Sequence, residues 1–326
     1  MKQLLPFEKI KRKVLVKKEF KTNEKLGCRP EERKTEEIIN YGAVNINKPQ
    51  GPTSHQVSDY VQKILHIKKA GHSGTLDPNV HGVLPIALGS ATRIVQVLLT
   101  SGKEYVGIMH LHDDVSIEKL KDTIKKYFTG KIKQTPPLKS AVKRQPRFRK
   151  IYYFEIIEKD GQDVLFKVGC EAGTYIRKLI HDLGKNMKIG AHMQELRRTK
   201  AGPFNEENLF TLQDLVDAYY FYEKENNDKF LRKIIQPVEN AISHLPKIWV
   251  FDTTVDTLCH GADLNIPGIS KLNDKISKDD TVAIMTLKDE LIALGTAKLN
   301  SEEMIKKEKG LAVKADKVFM KPRVYK

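Results

Sequence analysis

What this 326-residue sequence lacks narrows its chemistry before any motif is found. It has three cysteines, Cys28, Cys170 and Cys259, far apart and without Cys-x-x-Cys spacing. That argues against a disulfide framework and a cysteine-based zinc site, and it fits a reducing compartment. No apolar run approaches membrane-spanning length, and the N-terminus carries Lys and Glu where a signal peptide needs an apolar core. These features point to a soluble, intracellular protein, which we place in the cytoplasm. Gly-x-x-x-x-Gly-Lys-Ser/Thr, Gly-x-Gly-x-x-Gly and Gly-x-Ser-x-Gly are all missing, which argues against a nucleotide cradle and a serine nucleophile elbow. There is no internal repeat and no low-complexity segment.

Acidic residues are outnumbered, 41 against 57 basic ones, for a net charge of +16. Such an excess favours polyanionic partners, nucleic acid first and an anionic membrane surface second. With 40% hydrophobic and 30% charged residues the chain is nevertheless globular, long enough for one large domain and a smaller one.

Residues 1–40 are rich in Lys, Arg and Glu and read as an arm, solvated or draped over another domain. Val44-Asn45-Ile46-Asn47 alternates like a strand, and Thr53 and Ser54 offer an N-cap to a helix carrying Val57, Val61, Ile64 and Leu65. Lys103 to Leu111 alternates as a strand, and Ile117 to Phe128 has helical period. Ile151 to Glu158 and Val164 to Val168 form a strand pair turning at Asp160-Gly161. Gly173-Thr174 opens a helix through Leu183, with Gly184 as its stop. A boundary falls near Pro246, and the short strands beyond it, Val282 to Met285 and Leu291 to Leu294, describe a small β-rich domain. The order of elements is mixed rather than alternating, so the fold class is α+β and not doubly wound.

The span 131–150 differs. Lys131, Lys133, Lys139, Lys143, Arg144, Arg147, Arg149 and Lys150 crowd a stretch broken by Pro136, Pro137 and Pro146, with no acidic residue. A solvated loop is one reading. A basic arm closing over phosphates, with Lys139, Lys143, Arg144, Arg147 and Arg149 as its RNA contacts, is the reading we favour.

The chemistry centres on Gly71-His72-Ser73-Gly74-Thr75-Leu76-Asp77-Pro78, a composition for a tightly bent loop. Pro78 pushes Asp77 toward extended backbone, so its carboxylate is presented from a fixed loop. A carboxylate nucleophile needs a nearby cation to stay ionised, and Arg177 is the candidate. It needs a platform for a planar base, for which Tyr105 is the candidate, and a target base out of its stack. Taken singly, each residue has a simpler reading: a turn, a surface charge, a core tyrosine. His110, His112, Asp113 and Asp114 are read as a hydrated strand terminus rather than a metal site.

Several motifs taken together are more specific. Asn47-Lys48-Pro49-x-Gly51-x-Thr53-Ser54, Gly71-His72-x-Gly74-Thr75-Leu76-Asp77-Pro78 and Gly173-Thr174-Tyr175-Ile176-Arg177 follow one another in an order that resembles the TruB-type pseudouridine synthases. The resemblance is to the archaeal and eukaryotic dyskerin branch, and it continues through Pro136 to Arg144, Ala191 to Thr199 and Gly202-Pro203-Phe204. From Lys247 the chain resembles a PUA domain. The resemblance implies an arm over residues 1–40 packed on the C-terminal domain, a mainly antiparallel catalytic domain over 41–245 and a PUA domain over 247–323. It implies isomerisation of uridine to pseudouridine in rRNA and the tRNA T-loop, with Asp77 catalytic, Tyr105 stacked on the base and Arg177 paired with Asp77. Tyr175 and Leu196 would line the pocket, and His55 would lie near the flipped nucleotide. No metal or cofactor is implied. Implied partners are an H/ACA guide RNA, its substrate RNA and small particle proteins, including a kink-turn binder. A stand-alone tRNA enzyme and a non-catalytic RNA-binding scaffold are the alternatives. His81 and Gln145-Pro146 depart from the family pattern.

Overall fold

The computed structural model describes residues 3–137 and 143–326. From the N-terminal end, a 3-10 turn at Pro6–Lys9 leads to β1 (Val14–Val16) and α1 (Thr35–Asn40). β2 (Gly42–Lys48), α2 (Ser54–Ile64), β3 (Ala70–His72), β4 (His81–Leu88), α3 (Val95–Thr100) and β5 (Lys103–Leu111) follow. Next come α4 (Ile117–Tyr127), β6 (Gly130–Gln134), β7 (Arg147–Asp160), β8 (Asp163–Cys170), α5 (Ile176–Met187) and β9 (Ala191–Ala201). After α6 (Leu212–Glu225), α7 (Lys229–Ile234) and β10 (Ile235–Pro237), the chain continues through β11 (Lys247–Val250), α8 (Asp252–Cys259) and β12 (Leu264–Asn265). It ends with β13 (Ile269–Asn273), β14 (Thr281–Met285), β15 (Leu291–Ala297), α9 (Ser301–Lys306) and β16 (Leu311–Val318).

The chain divides into two compact units. One comprises residues 3–9, 44–87 and 92–234; the other comprises 10–43, 88–91 and 235–326. In the first, strands run in the order β2-β4-β9-β5-β8-β7-β6, with β3 on β4. β4 and β9 are parallel, and the pairs β5–β9, β5–β8, β7–β8 and β6–β7 are antiparallel. One apolar core joins Val164, Phe166 and Val168 of β8 to Leu120 and Ile124 of α4 and to Leu179, Ile180 and Leu183 of α5. In the second unit the order is β1-β13-β11-β14-β15-β16-β12, so a strand from the first forty residues pairs with one from the C-terminal part. The α+β reading holds, with mostly antiparallel sheets.

Local physics accounts for the elements near the site. α2 starts where Thr53 accepts from the Gln56 N–H while Gln56 reaches back to the Thr53 N–H, a reciprocal cap. Two expectations are corrected. The span 131–150 is not a loop at its ends, which pair as β6 and β7, Gly130 opposite Ile151 and Gln134 opposite Arg147. Sparse apolar residues hid these strands: Ile132 is 8% exposed, while the lysines beside it face solvent. Nor does Gly184 end its helix. α5 runs on to Met187 and caps at Lys188 in the left-handed region. Gly184 is instead a packing position, since a Cβ there would sit 2.2 Å from the Ala191 nitrogen.

Candidate active site

Asp77 lies between β3 and β4, on a loop held from behind by buried cations rather than by its own secondary structure. Lys48, at the end of β2 and fully buried, donates from Nζ to the carbonyls of Pro49 (2.9 Å), Pro78 (3.1 Å) and Val80 (2.8 Å). A buried ammonium is tolerated only when its hydrogens are used, and three carbonyls match three N–H groups. Burial first, then the charge of Arg198, lowers the Lys48 pKa against the opposing charge of Asp77. The Ser54 hydroxyl accepts from the Leu76 N–H at 2.8 Å, and the Gly51 N–H donates to the Pro78 carbonyl at 3.0 Å.

Arg198 on β9, 1% exposed, holds the other side of the loop. Its Nε donates to Val83 O at 2.7 Å and its Nη2 to Gly74 O at 3.3 Å, and its charge acts on the Tyr105 phenol. Gly82 takes φ +106°, and a Cβ there would meet the Arg198 carbonyl at 2.3 Å, so only glycine lets β4 come this close to β9. Leu76 and Val80 are buried on either side of Asp77, and the Val80 N–H closes a turn on the Asp77 carbonyl at 3.0 Å. The Asp77 carboxylate itself is 55% exposed. The loop is tied on both sides and its carboxylate is open.

Arg177, in the first turn of α5, brings Nη2 to 3.0 Å from Asp77 Oδ2. An ion pair this exposed contributes about 0–1 kcal/mol to stability, so its geometry serves something other than the fold. The turn preceding it is tightly tied. The Thr174 hydroxyl donates to Glu171 O at 2.7 Å, and the Gln134 amide bonds both the N–H and the carbonyl of Tyr175 at 3.1 Å.

Tyr105 on β5 is 8% exposed; burial raises its pKa while Arg198 acts in the opposite direction, so the phenol is neutral at pH 7. Asp77 is close enough for its charge to act on Tyr105. Leu196 on β9, opposite Gly107 of β5, shares one apolar cluster with Tyr105, Leu76, Val80 and Ile176. Asp77, Arg177, Tyr105 and Leu196 thus lie around one loop, and the half-buried Tyr175 precedes Arg177 by two residues. His55 lies on α2 with its side chain 83% exposed, 4.0 Å from Asp59. Its charge acts, with burial and Arg198 ahead of it, to lower the pKa of His72.

Of the basic residues, Lys143 and Arg144 are exposed and precede β7, and Arg147 and Arg149 are half-buried within it; Lys139 lies outside the described residues. Elsewhere, His110 Nδ1 is 2.7 Å from Asp163 Oδ1, and His112 Nε2 is 2.9 Å from His192 Nδ1. Among the described residues, no group of three or more His, Cys, Asp or Glu side chains is arranged to hold a metal ion. Sequence reasoning passed over Lys48, Arg198 and Gln134 as site components. A lysine directly following an apolar strand and preceding proline was the available signal for Lys48.

Family models match along the chain. Residues 62–176 match the N-terminal domain of the TruB family pseudouridylate synthases, and 177–243 the C-terminal domain of tRNA pseudouridylate synthase B. Residues 246–319 match the PUA domain and 3–58 the DKCLD (NUC011) domain. A Pyrococcus horikoshii protein named Probable tRNA pseudouridine synthase B is 57% identical over 322 residues, 98% of this chain and 96% of that protein. Its Nanoarchaeum equitans counterpart is 53% identical, covering 98% of this chain and 92% of its own length. Among solved structures, a Cbf5-Nop10-Gar1 complex contains a chain 55% identical, TM-score 0.93, covering 99% of this chain and 98% of that one. An H/ACA RNP bound to a substrate RNA containing 2′-deoxyuridine contains one 52% identical, TM-score 0.93, with 99% of each chain covered. This chain belongs to the TruB family of pseudouridylate synthases and carries a PUA domain in its C-terminal part.

Proposed function

We propose that this chain converts uridine to pseudouridine in RNA with Asp77 as the catalytic carboxylate. One observation supports this above the rest: an open carboxylate on a loop fixed by Lys48, Ser54 and Arg198, with a guanidinium 3.0 Å away, in a chain of this family. The reaction breaks the N1–C1′ glycosidic bond, turns the uracil and joins C5 to C1′. The proton leaving C5 is balanced by one gained at N1. No electrons enter or leave, so no redox cofactor is required.

Each neighbouring group has a task in this reading. Arg177, 3.0 Å from Asp77 Oδ2, pairs with the carboxylate and aims it. Tyr105, neutral and backed by Arg198, supplies a stacking face for the flipped uracil, a contact that contributes about 1–3 kcal/mol. Tyr175 and Leu196 close the pocket, and His55 stands at its outer edge. Lys143, Arg144, Arg147 and Arg149 engage the RNA backbone along the β6–β7 hairpin.

We infer further that an H/ACA-type guide RNA selects the uridine and that small proteins such as Nop10 and Gar1 complete the particle, as in the complexes containing similar chains. A stand-alone tRNA activity is the second reading, favoured by the names of the 53–57% identical relatives. Assaying the protein on tRNA with and without guide RNA separates the two. Asp77→Asn tests the shared claim: isomerisation is lost while RNA binding is kept. A non-catalytic scaffold would show no conversion in either protein.

A further inference from the structure

We propose that Gln134 is a positioning residue that couples the basic β6–β7 hairpin to the Arg177–Asp77 pair. This rests on the catalytic reading above. Gln134 is the last residue of β6, is 3% exposed and lies in a chain segment otherwise dominated by solvated lysines. Both ends of its amide are used on one residue. Its Oε1 accepts from the Tyr175 N–H and its Nε2 donates to the Tyr175 carbonyl, each at 3.1 Å. Tyr175 is the N-cap of α5, and its carbonyl also accepts the Leu179 N–H, so Gln134 grips the first turn of the helix from which Arg177 projects.

The other strand of the hairpin is tied to the same turn. The Lys150 N–H donates to Glu171 Oε2 at 2.9 Å, and the Glu171 N–H donates to the Lys150 carbonyl at 2.8 Å. Arg149 lies over Gly173, where a Cβ would come within 3.1 Å of its Nη2. Both strands of the hairpin thus hold residues 171–175, and Arg177 follows two residues later. Gln134 also pairs with Arg147, one of the proposed RNA contacts. An RNA strand seated on the hairpin therefore acts through Gln134 on the placement of Arg177, and so on where the Asp77 carboxylate points.

Gln134→Met keeps the length and packing of the side chain and removes both hydrogen bonds. We expect kcat for uridine isomerisation to fall about 10- to 100-fold with KM for RNA within about twofold, the pattern of a misplaced reacting group rather than lost binding. Gln134→Glu retains an acceptor for the Tyr175 N–H and is expected to recover part of the loss. Amide exchange supplies a readout independent of turnover. RNA should protect residues 173–178 in the parent protein but not in Gln134→Met, while the hairpin stays protected in both. Unchanged kcat in Gln134→Met, or a rise in KM alone, overturns the proposal. Should Gln134→Met fail to fold, Gln134→Glu is decisive: full parental kcat together with parental protection of 173–178 overturns it as well. If the parent protein itself forms no pseudouridine, the catalytic reading fails, whereas the exchange experiment still tests the coupling.

Discussion

Two arginine–carboxylate pairs, one in each unit, have similar chemistry and opposite surroundings. In the unit containing the PUA domain, Arg33 and Glu239 are 7% and 5% exposed and meet through two hydrogen bonds of 2.7 and 2.8 Å. Glu239 also accepts the Leu291 N–H at 2.9 Å. Burial alone would lower the Arg33 pKa, yet its hydrogen bonds and attraction to Glu239 more than reverse this. In the other unit, Arg177 and Asp77 are 61% and 55% exposed and meet at a single 3.0 Å contact. The first pair is structural: the two Glu239 oxygens accept from Arg33 and from the Leu291 N–H. The second is left open, because the anchoring bonds lie one layer behind it, on Lys48, Ser54, Arg198 and Gln134. A carboxylate held this way can meet a substrate without refolding the loop that carries it.

Substitutions can break this contrast from either side. Glu239→Ala leaves a buried guanidinium without its carboxylate, and we expect a loss of about 3–5 kcal/mol in the unfolding of its unit by urea or guanidinium titration. Catalytic turnover of the fraction that remains folded should be unchanged. Arg177→Met should reverse the pattern: about 100-fold lower kcat/KM, equivalent to about 2.7 kcal/mol in the barrier, with stability altered by less than about 1 kcal/mol. Comparable stability losses in the two variants would erase the distinction. The smallest effect concerns the hairpin. Neutralising Lys143, Arg144 and Arg147 together should weaken RNA binding and flatten its log–log salt dependence by about 0.7 per lost phosphate contact on a single strand. An unchanged slope would remove these residues from the RNA path.

The same contrast explains what was legible in the sequence. The α+β class, the β7–β8 turn and the Thr53 cap follow from local patterns of a few residues. The Asp77 loop was visible because glycine and proline mark bent backbone whatever surrounds them. Lys48 and Arg198 were not, since a lysine or arginine reads as solvated until its acceptors are known. For Lys48 two of the three carbonyls lie 30 and 32 residues onward, and for Arg198 they lie 115 and 124 residues back. Gln134 was hidden for the same reason, behind a partner 41 residues away and inside a stretch whose charge dominates its reading. The strands β6 and the start of β7 escaped because their pairing uses backbone groups, while their side chains carry the charge typical of a loop.

The proposed chemistry turns on one oxygen of Asp77. Asp77→Asn is nearly isosteric, on a loop whose anchors are backbone groups and other side chains, so the fold should be unaffected. Single-turnover conversion of a uridine-containing RNA, measured alongside RNA affinity, should fall by about 10⁴-fold or more with affinity within about threefold of the parent, the scale on which a reacting group is missed. Conversion at the parental rate by Asp77→Asn would contradict the account.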